Sequence, residues 1–257
     1  MRIKELEAGL KELRLSAFAD KYYDTATQCA AQNFGHVDYL QMLVNAELED
    51  RHHNRIKKLI QKSRLPRIKH LKDFNSARIP ELTQGLVNEL ATGNFLDRAE
   101  NLLIFGNPGT GKTHLAIALV QEWCNRGRKA IFITAAELIQ ELLKAKRLRR
   151  LNEYIKSINK NEAIVIDDIS YVACDKCETD LLFLLLASRY ENRSLIITSN
   201  LSFGEWGSIF KDDITTKAAV DRLVHHSTIL KLNAESYRKE SAKKKQEVLQ
   251  QEATYPQ

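Results

Sequence analysis

Long apolar runs are missing from this chain. The longest, Leu181 to Ala187, has seven residues, far short of the roughly 18 that a membrane-spanning helix requires. The amino-terminal stretch Met1-Arg2-Ile3-Lys4-Glu5-Leu6-Glu7 alternates charged with apolar residues and lacks the apolar centre of a secretory signal, so a cytoplasmic protein is expected. Cysteine is scarce: Cys29, Cys124, Cys174 and Cys177 are the 4 in 257 residues, which is no disulfide framework and suits a reducing compartment. Cys174 and Cys177 form a Cys-x-x-Cys, but a tetrahedral zinc site needs four ligands and no second pair stands at a suitable spacing; the motif reads as a turn. Proline and glycine are few, at 4 and 10, which excludes collagen-like and low-complexity chains. What remains, 44% apolar and 28% charged, is the composition of a helix-rich globule long enough for one large domain with a smaller attachment. Acids number 33 against 39 bases, a net charge of +6 that admits a nucleic-acid partner without requiring one.

The pattern changes near residue 75. Before it the reading is helical: Leu6, Leu10 and Leu13 come first, then Leu40, Leu43, Val44 and Leu48, with Ile56, Leu59 and Ile60 continuing an i, i+3, i+4 stripe until Pro66 ends the helix. Between Arg51 and Lys72 stand nine Lys or Arg, three His and no acid. This run, with Arg51, Arg55, Lys57, Lys58, Lys62, Arg64, Arg67 and Lys69 as candidate phosphate contacts, reads either as a DNA-binding surface or as a solvated helix end and linker. After residue 75, five apolar runs qualify as buried strands: Asn101 to Phe105, Ala130 to Thr134, Ala163 to Asp167, Leu195 to Ser199 and Thr228 to Leu232. Helical patterns at Thr113 to Arg126, Ala136 to Leu151 and Glu178 to Tyr190 separate them, so an α/β fold with a five-stranded parallel sheet is expected. The expected domains are a helical region 1–75, a core 76–241 and a polar tail 242–257.

Chemistry concentrates at three strand ends. Gly106-Asn107-Pro108-Gly109-Thr110-Gly111-Lys112-Thr113 fits G-x-x-x-x-G-K-[ST] and follows the strand Leu102-Leu103-Ile104-Phe105. Its glycines let backbone N–H groups curl around phosphates while the next helix presents its positive end. Lys112 is expected to reach the β- and γ-phosphates of ATP and Thr113 to give a hydroxyl to Mg²⁺; His114 follows in the first helical turn and is counted with the loop. Ala163-Ile164-Val165-Ile166-Asp167-Asp168 ends a second strand in two carboxylates, Asp167 as the magnesium partner and Asp168 to polarise a water, unless one of them caps the following helix. Asn200 ends the strand Ser194 to Ser199; alone it reads as a turn former, but ligands of open α/β sheets collect at the carboxyl ends of strands.

In this order and spacing, Gly106 to Thr113 look like a Walker A motif, Ile164 to Asp168 a Walker B, Thr198-Ser199-Asn200 a sensor-1 segment and Asp221-Arg222-Leu223 an arginine-finger segment of AAA+ ATPases. With Ser188-Arg189-Tyr190-Glu191, Glu205-Trp206, Ala219 to Leu223, Ser236-Tyr237-Arg238, Leu10 to Leu15 and Ala46 to Arg51, the chain resembles the IstB-like helper ATPases of insertion sequences, relatives of the DnaC-type helicase loaders. The resemblance implies Mg²⁺-dependent ATP hydrolysis, with Arg222 reaching a neighbouring subunit's γ-phosphate and Arg238 where a second sensor arginine lies; without it, Arg222 is a helix-surface arginine in a salt bridge. Asp168 stands where many AAA+ enzymes carry Glu, which implies slow turnover. The implied partner is DNA, and Lys144, Lys146, Arg147, Arg149 and Arg150 form a second basic segment, although consecutive charges on a helix cannot all face one way.

The reading is thus an ATP-dependent regulator that oligomerises on duplex DNA, as a ring or helix, and assists a transposase in target selection; the alternative is a DnaC-like helicase loader with the same ATP site. A metabolite-directed P-loop enzyme lacks any accompanying small-molecule motif. The length leaves no room for a separate nuclease or integrase domain.

Overall fold

The structure is a computed structural model that describes residues 2–171, 175–207, 213–234 and 236–237. Its contacts divide the chain into two compact units, Met1–Lys58 and Leu59–Gln257. The first holds α1 (Arg2–Glu12), α2 (Ser16–Ala31) and most of α3 (His36–Lys62). Its interior includes Ala17, Cys29 and Leu43 together with one carboxylate, Glu47, 5% exposed. Glu47 accepts from the Ala17 amide at 2.9 Å and from Arg51 Nε at 2.8 Å, and Arg51 also donates to the Arg14 carbonyl at 3.0 Å. Burial pushes Glu47 toward the neutral form, but those donors outweigh it and hold its pKa below the ordinary value.

The second unit is built on β1 (Asn101–Gly106), β2 (Ala130–Thr134), β3 (Ala163–Asp167), β4 (Ser194–Ser199) and β5 (Ser227–Leu232). They form one sheet of order β2-β3-β4-β1-β5, every pair parallel. Successive residues of a strand point to opposite faces, and the core divides accordingly. Leu103, Phe105, Ile131, Ile133, Ile164, Ile166, Leu195 and Ile197 meet α6 (Ala135–Arg147), α7 (Leu151–Ile158) and α8 (Lys176–Arg189) on one side. Leu102, Ile104, Phe132, Val165, Ile196 and Leu230 meet α4 (Gln84–Thr92) and α5 (Lys112–Asn125) on the other. Burial on both faces explains why β1 to β4 read as continuous apolar runs; β5, at the sheet edge, alternates, with Leu230 and Leu232 buried and Ile229 and Lys231 exposed. Among the described residues the remaining α-helix, α9 (Asp213–His225), leads into β5. Among the described residues, no helix is long and apolar enough to cross a membrane.

Two expected boundaries shift. The expected helix Ala136 to Leu151 is two, because Arg149 adopts φ 56° and the Arg150 amide reaches back to the Ala145 carbonyl at 2.8 Å. This left-handed cap ends α6 and lets Ile155 and Ile158 of α7 turn into the core. The helical region, expected to run to about residue 75, gives way earlier. Leu59, Ile60, Leu65, Leu71 and Phe74 pack on the α4–α5 side of the sheet, and the Ser63 carbonyl accepts from the Phe132 amide of edge strand β2 at 2.8 Å.

Candidate nucleotide site

The loop between β1 and α5 lies at the carboxyl edge of the sheet. Gly106 has no room for a side chain: a Cβ there would stand 2.6 Å from the Leu232 carbonyl oxygen at the end of β5. Gly109 holds φ 86° and would drive a Cβ into Ser236 Oγ, a conformation and a closeness that glycine alone tolerates. The Tyr237 amide donates to the Gly109 carbonyl at 3.0 Å, so the segment after β5 lies against the loop. Pro108 and Asn107 complete the turn, and Thr110 Oγ1 donates to the Asn107 carbonyl at 2.9 Å. Gly111 precedes α5 and faces the Phe74 ring.

The side chains at this edge converge. Lys112, 5% exposed, donates its ammonium to the carbonyls of Gly106 at 2.7 Å and Asn107 at 3.1 Å, and to Asn200 Oδ1. Thr113 Oγ1 donates to Asp167, 3.0 Å from Oδ2 and 3.1 Å from Oδ1. Asp167 also accepts from Thr198 Oγ1 at 2.6 Å, and Thr198 Oγ1 in turn accepts from the Asp168 amide at 2.8 Å. The Asn200 amide donates to Ser170 Oγ at 3.1 Å. Lys112, Thr113, Asp167 and Asn200 therefore meet from β1–α5, β3 and β4. Thr198, Ser170, Phe74 and Ser236 support them; the sequence placed Thr198 in the sensor-1 segment and Ser236 in Ser236-Tyr237-Arg238, but gave Ser170 and Phe74 no part.

The donor set suits a magnesium nucleotide. A hydroxyl and a buried carboxylate already face each other, an ammonium is held by acceptors that a phosphate can replace, and the first-turn amides of α5 have no intrahelical acceptor. Burial raises the pKa of Asp167; Thr198 lowers it, the Asp168 charge raises it again, and Thr113 and Lys112 lower it. His114 turns its ring edge-on to Phe74, with centroids 5.6 Å apart. Burial, followed by the charge of Lys69, lowers its pKa, so a neutral ring packs there. Asp168 sits at φ 56° on the turn after β3. Arg222, on α9, is not brought to this cluster within the chain; its guanidinium lies 5.0 Å from the centroid of the Phe183 ring. Arg238 lies outside the described residues.

The basic residues divide. In the first unit Arg51 is engaged by Glu47, while Arg55, Lys57 and Lys58 are exposed. In the second, Arg64 pairs with Glu141 at 2.6 Å, Lys146 approaches Cys177 Sγ at 3.0 Å and Arg150 stands 4.0 Å from Glu153. Lys62, Arg67, Lys144, Arg147 and Arg149 are exposed and Lys69 is half-buried.

The family model described as IstB-like ATP binding protein matches residues 8–246. An insertion sequence ATP-binding protein of Sinorhizobium fredii is 38% identical over 91% of this chain and 78% of its own length. One from Geobacillus stearothermophilus is 38% identical over 88% and 90%, and the IS21 ATP-binding protein of Pseudomonas aeruginosa is 35% identical over 93% and 91%. Among solved structures, AMPPCP-bound DnaA from Aquifex aeolicus superposes with a TM-score of 0.55 at 19% identity, over 66% of this chain and about half, 51%, of the DnaA chain. The DnaC helicase loader gives a TM-score of 0.51 at 19% identity, over 67% and 97%. At these identities the structural likeness is one of fold.

Proposed function

Because the chain belongs to the IstB-like ATP-binding protein family and is an ATPase with the AAA+ P-loop fold, we propose that it acts as an ATP-dependent regulator of transposition. In this reading it oligomerises on duplex DNA and assists the transposase of its insertion sequence in choosing a target. The observation that carries the proposal is the convergence of Lys112, Thr113, Asp167 and Asn200 at one sheet edge, in a chain whose relatives are named as insertion sequence ATP-binding proteins.

When ATP enters, Lys112 exchanges the carbonyls of Gly106 and Asn107 for phosphate oxygens, and Asn200 stays beside the γ-phosphate. Thr113 and Asp167 would hold Mg²⁺, which would supply charge neutralisation at the phosphates. Asp168 orients the attacking water, its short side chain keeping turnover slow. Arg222 completes the site of a neighbouring copy; such a finger contributes about 10³ to 10⁵ in rate in other nucleotide hydrolases. The exposed Lys and Arg of the two basic segments contact phosphates without reading sequence, leaving recognition to the transposase.

Lys112→Ala is expected to abolish ATP-dependent assembly on DNA, visible by electron microscopy with and without a short duplex; normal assembly by that variant at saturating ATP refutes the proposal. Binding to duplex should weaken steeply with salt. A preference for single strands together with capture of a replicative helicase would replace this reading with the loader.

A further inference from the structure

At the opposite edge of the sheet, beneath the amino ends of β4, β1 and β5, we propose that Glu191, His225 and His226 form a binding site for a divalent transition metal of the zinc type. One ligand atom from each lies within 4.8 Å of the others. Zinc ligands at about 2.0–2.2 Å stand roughly 3.3–3.5 Å apart in a tetrahedron, so closure needs at most about 1.5 Å of movement. All three side chains are exposed. Two imidazoles and one carboxylate are also the donor types this metal class selects.

The surroundings orient the donors. The Tyr190 hydroxyl lies 3.2 Å from His225 Nδ1; in the tautomer in which Nδ1 donates to it, Nε2 bears the lone pair, the outer-shell arrangement typical of metal-bound histidine. His225 is the last residue of α9, where the helix dipole favours a cation. His226 stacks edge-on against it with centroids 4.1 Å apart.

The backbone that carries the ligands is anchored. Asn101, 6% exposed, donates its amide to the His226 carbonyl at 2.7 Å and its Nδ2 to the Leu223 carbonyl at 3.2 Å, and accepts from the Leu195 amide at 2.9 Å. The other charges facing the cluster are Glu100, bonded to Arg98 at 2.6 Å, and Asp221 and Arg222, both near Tyr190. Strands of five to six residues put this site about 15–20 Å from the nucleotide edge. A metal there ties the carboxyl end of the helix that carries Arg222 to the turn preceding β4.

The test uses the untagged full-length chain without nucleotide and with excess Mg²⁺ to occupy the oxygen-rich site. Co²⁺ is titrated and followed by its visible spectrum, and Zn²⁺ by calorimetry. One equivalent per chain is expected, weakened at least about tenfold by His226→Ala or Glu191→Gln, and about tenfold by Tyr190→Phe, the usual scale for an outer-shell partner. Cys177→Ser should bind as the parent does. Unchanged circular dichroism and melting of the metal-free variants exclude unfolding as the cause. Absence of binding up to millimolar metal, binding indifferent to His226→Ala and Glu191→Gln, or loss of binding in Cys177→Ser each overturns the proposal.

Discussion

Asp167 holds its carboxylate 4% exposed between the hydroxyls of Thr113 and Thr198, and burial keeps its pKa above the ordinary 3.8. A raised carboxylate pKa means that the ionised form is less comfortable in the fold than in the unfolded chain, so at neutral pH this group subtracts stability. Asp167→Asn keeps the shape and the acceptor oxygen while removing that charge. The nucleotide-free variant is expected to melt no lower than the parent, but to lose the extra stabilisation that Mg²⁺ with ATP gives; differential scanning calorimetry with and without ligand reads both effects. Glu47 has the opposite sign. Burial raises its pKa, but the bonds from Arg51 and the Ala17 amide hold it below 4.5, so its stabilising contribution is complete above that value and is lost as pH falls through the lower, folded-state pKa. Acid should therefore melt the helices of Met1–Lys58 along a pH profile that Glu47→Gln flattens, as followed by circular dichroism.

Arg189 acts on whole elements. It ends α8 fully buried, with bonds to Asn159 Oδ1 at 3.2 Å and to the carbonyls of Asn161, Glu162 and Ser194, the last at 2.8 Å. One guanidinium thus gathers the turn after α7, the approach to β3 and the start of β4. Arg189→Ala strands several buried carbonyls and should cost about 3–5 kcal/mol, the scale for breaking a buried charged network. Arg189→Lys should recover little, since an ammonium lacks the planar fork; chemical denaturation measures both. The sequence motif Ser188 to Glu191 contained this residue, but nothing in its spelling separates a buried clasp from a surface arginine. Strands were legible to within a residue because burial on both faces writes β1 to β4 as uninterrupted apolar runs and one-sided burial leaves β5 alternating. The split between α6 and α7 was not, since a left-handed cap at Arg149 uses no glycine to announce it. At the nucleotide edge, Lys112, Thr113 and Asp167 were legible from spacing, whereas Thr198 and Ser170 act through contacts that the β3–β4 pairing creates and Phe74 through its packing on Gly111 and His114.

At the scale of the whole molecule, Arg222 lies over Phe183 and away from the Lys112 cluster, which is why its proposed role requires a second copy. Arg222→Ala should bind ATP normally yet fail to hydrolyse it, and mixing it with Lys112→Ala should restore part of the activity, because the mixture offers intact half-sites on different chains. Full hydrolysis by Arg222→Ala alone would show the finger to be misassigned. The net charge of +6 tells little about such assemblies. Nine basic residues between Arg51 and Lys72 and five between Lys144 and Arg150 give the molecule its positive surface, and Arg51, Arg64 and Arg150 among them are held in ion pairs.

The sheet order also sets a timetable. β1, the strand that leads into the phosphate loop, pairs only with strands made much later: Leu102 meets Ile196 of β4 on one side and Thr228 of β5 on the other. During synthesis one edge of β1 stays open until β4 has left the ribosome and the other until β5 has, and pairings so distant in sequence are slow to form. For that interval a stretch of uninterrupted Leu, Ile and Phe is available to any other extended chain. A nascent chain stopped short of Leu232 holds every residue of the Walker loop and cannot enclose it.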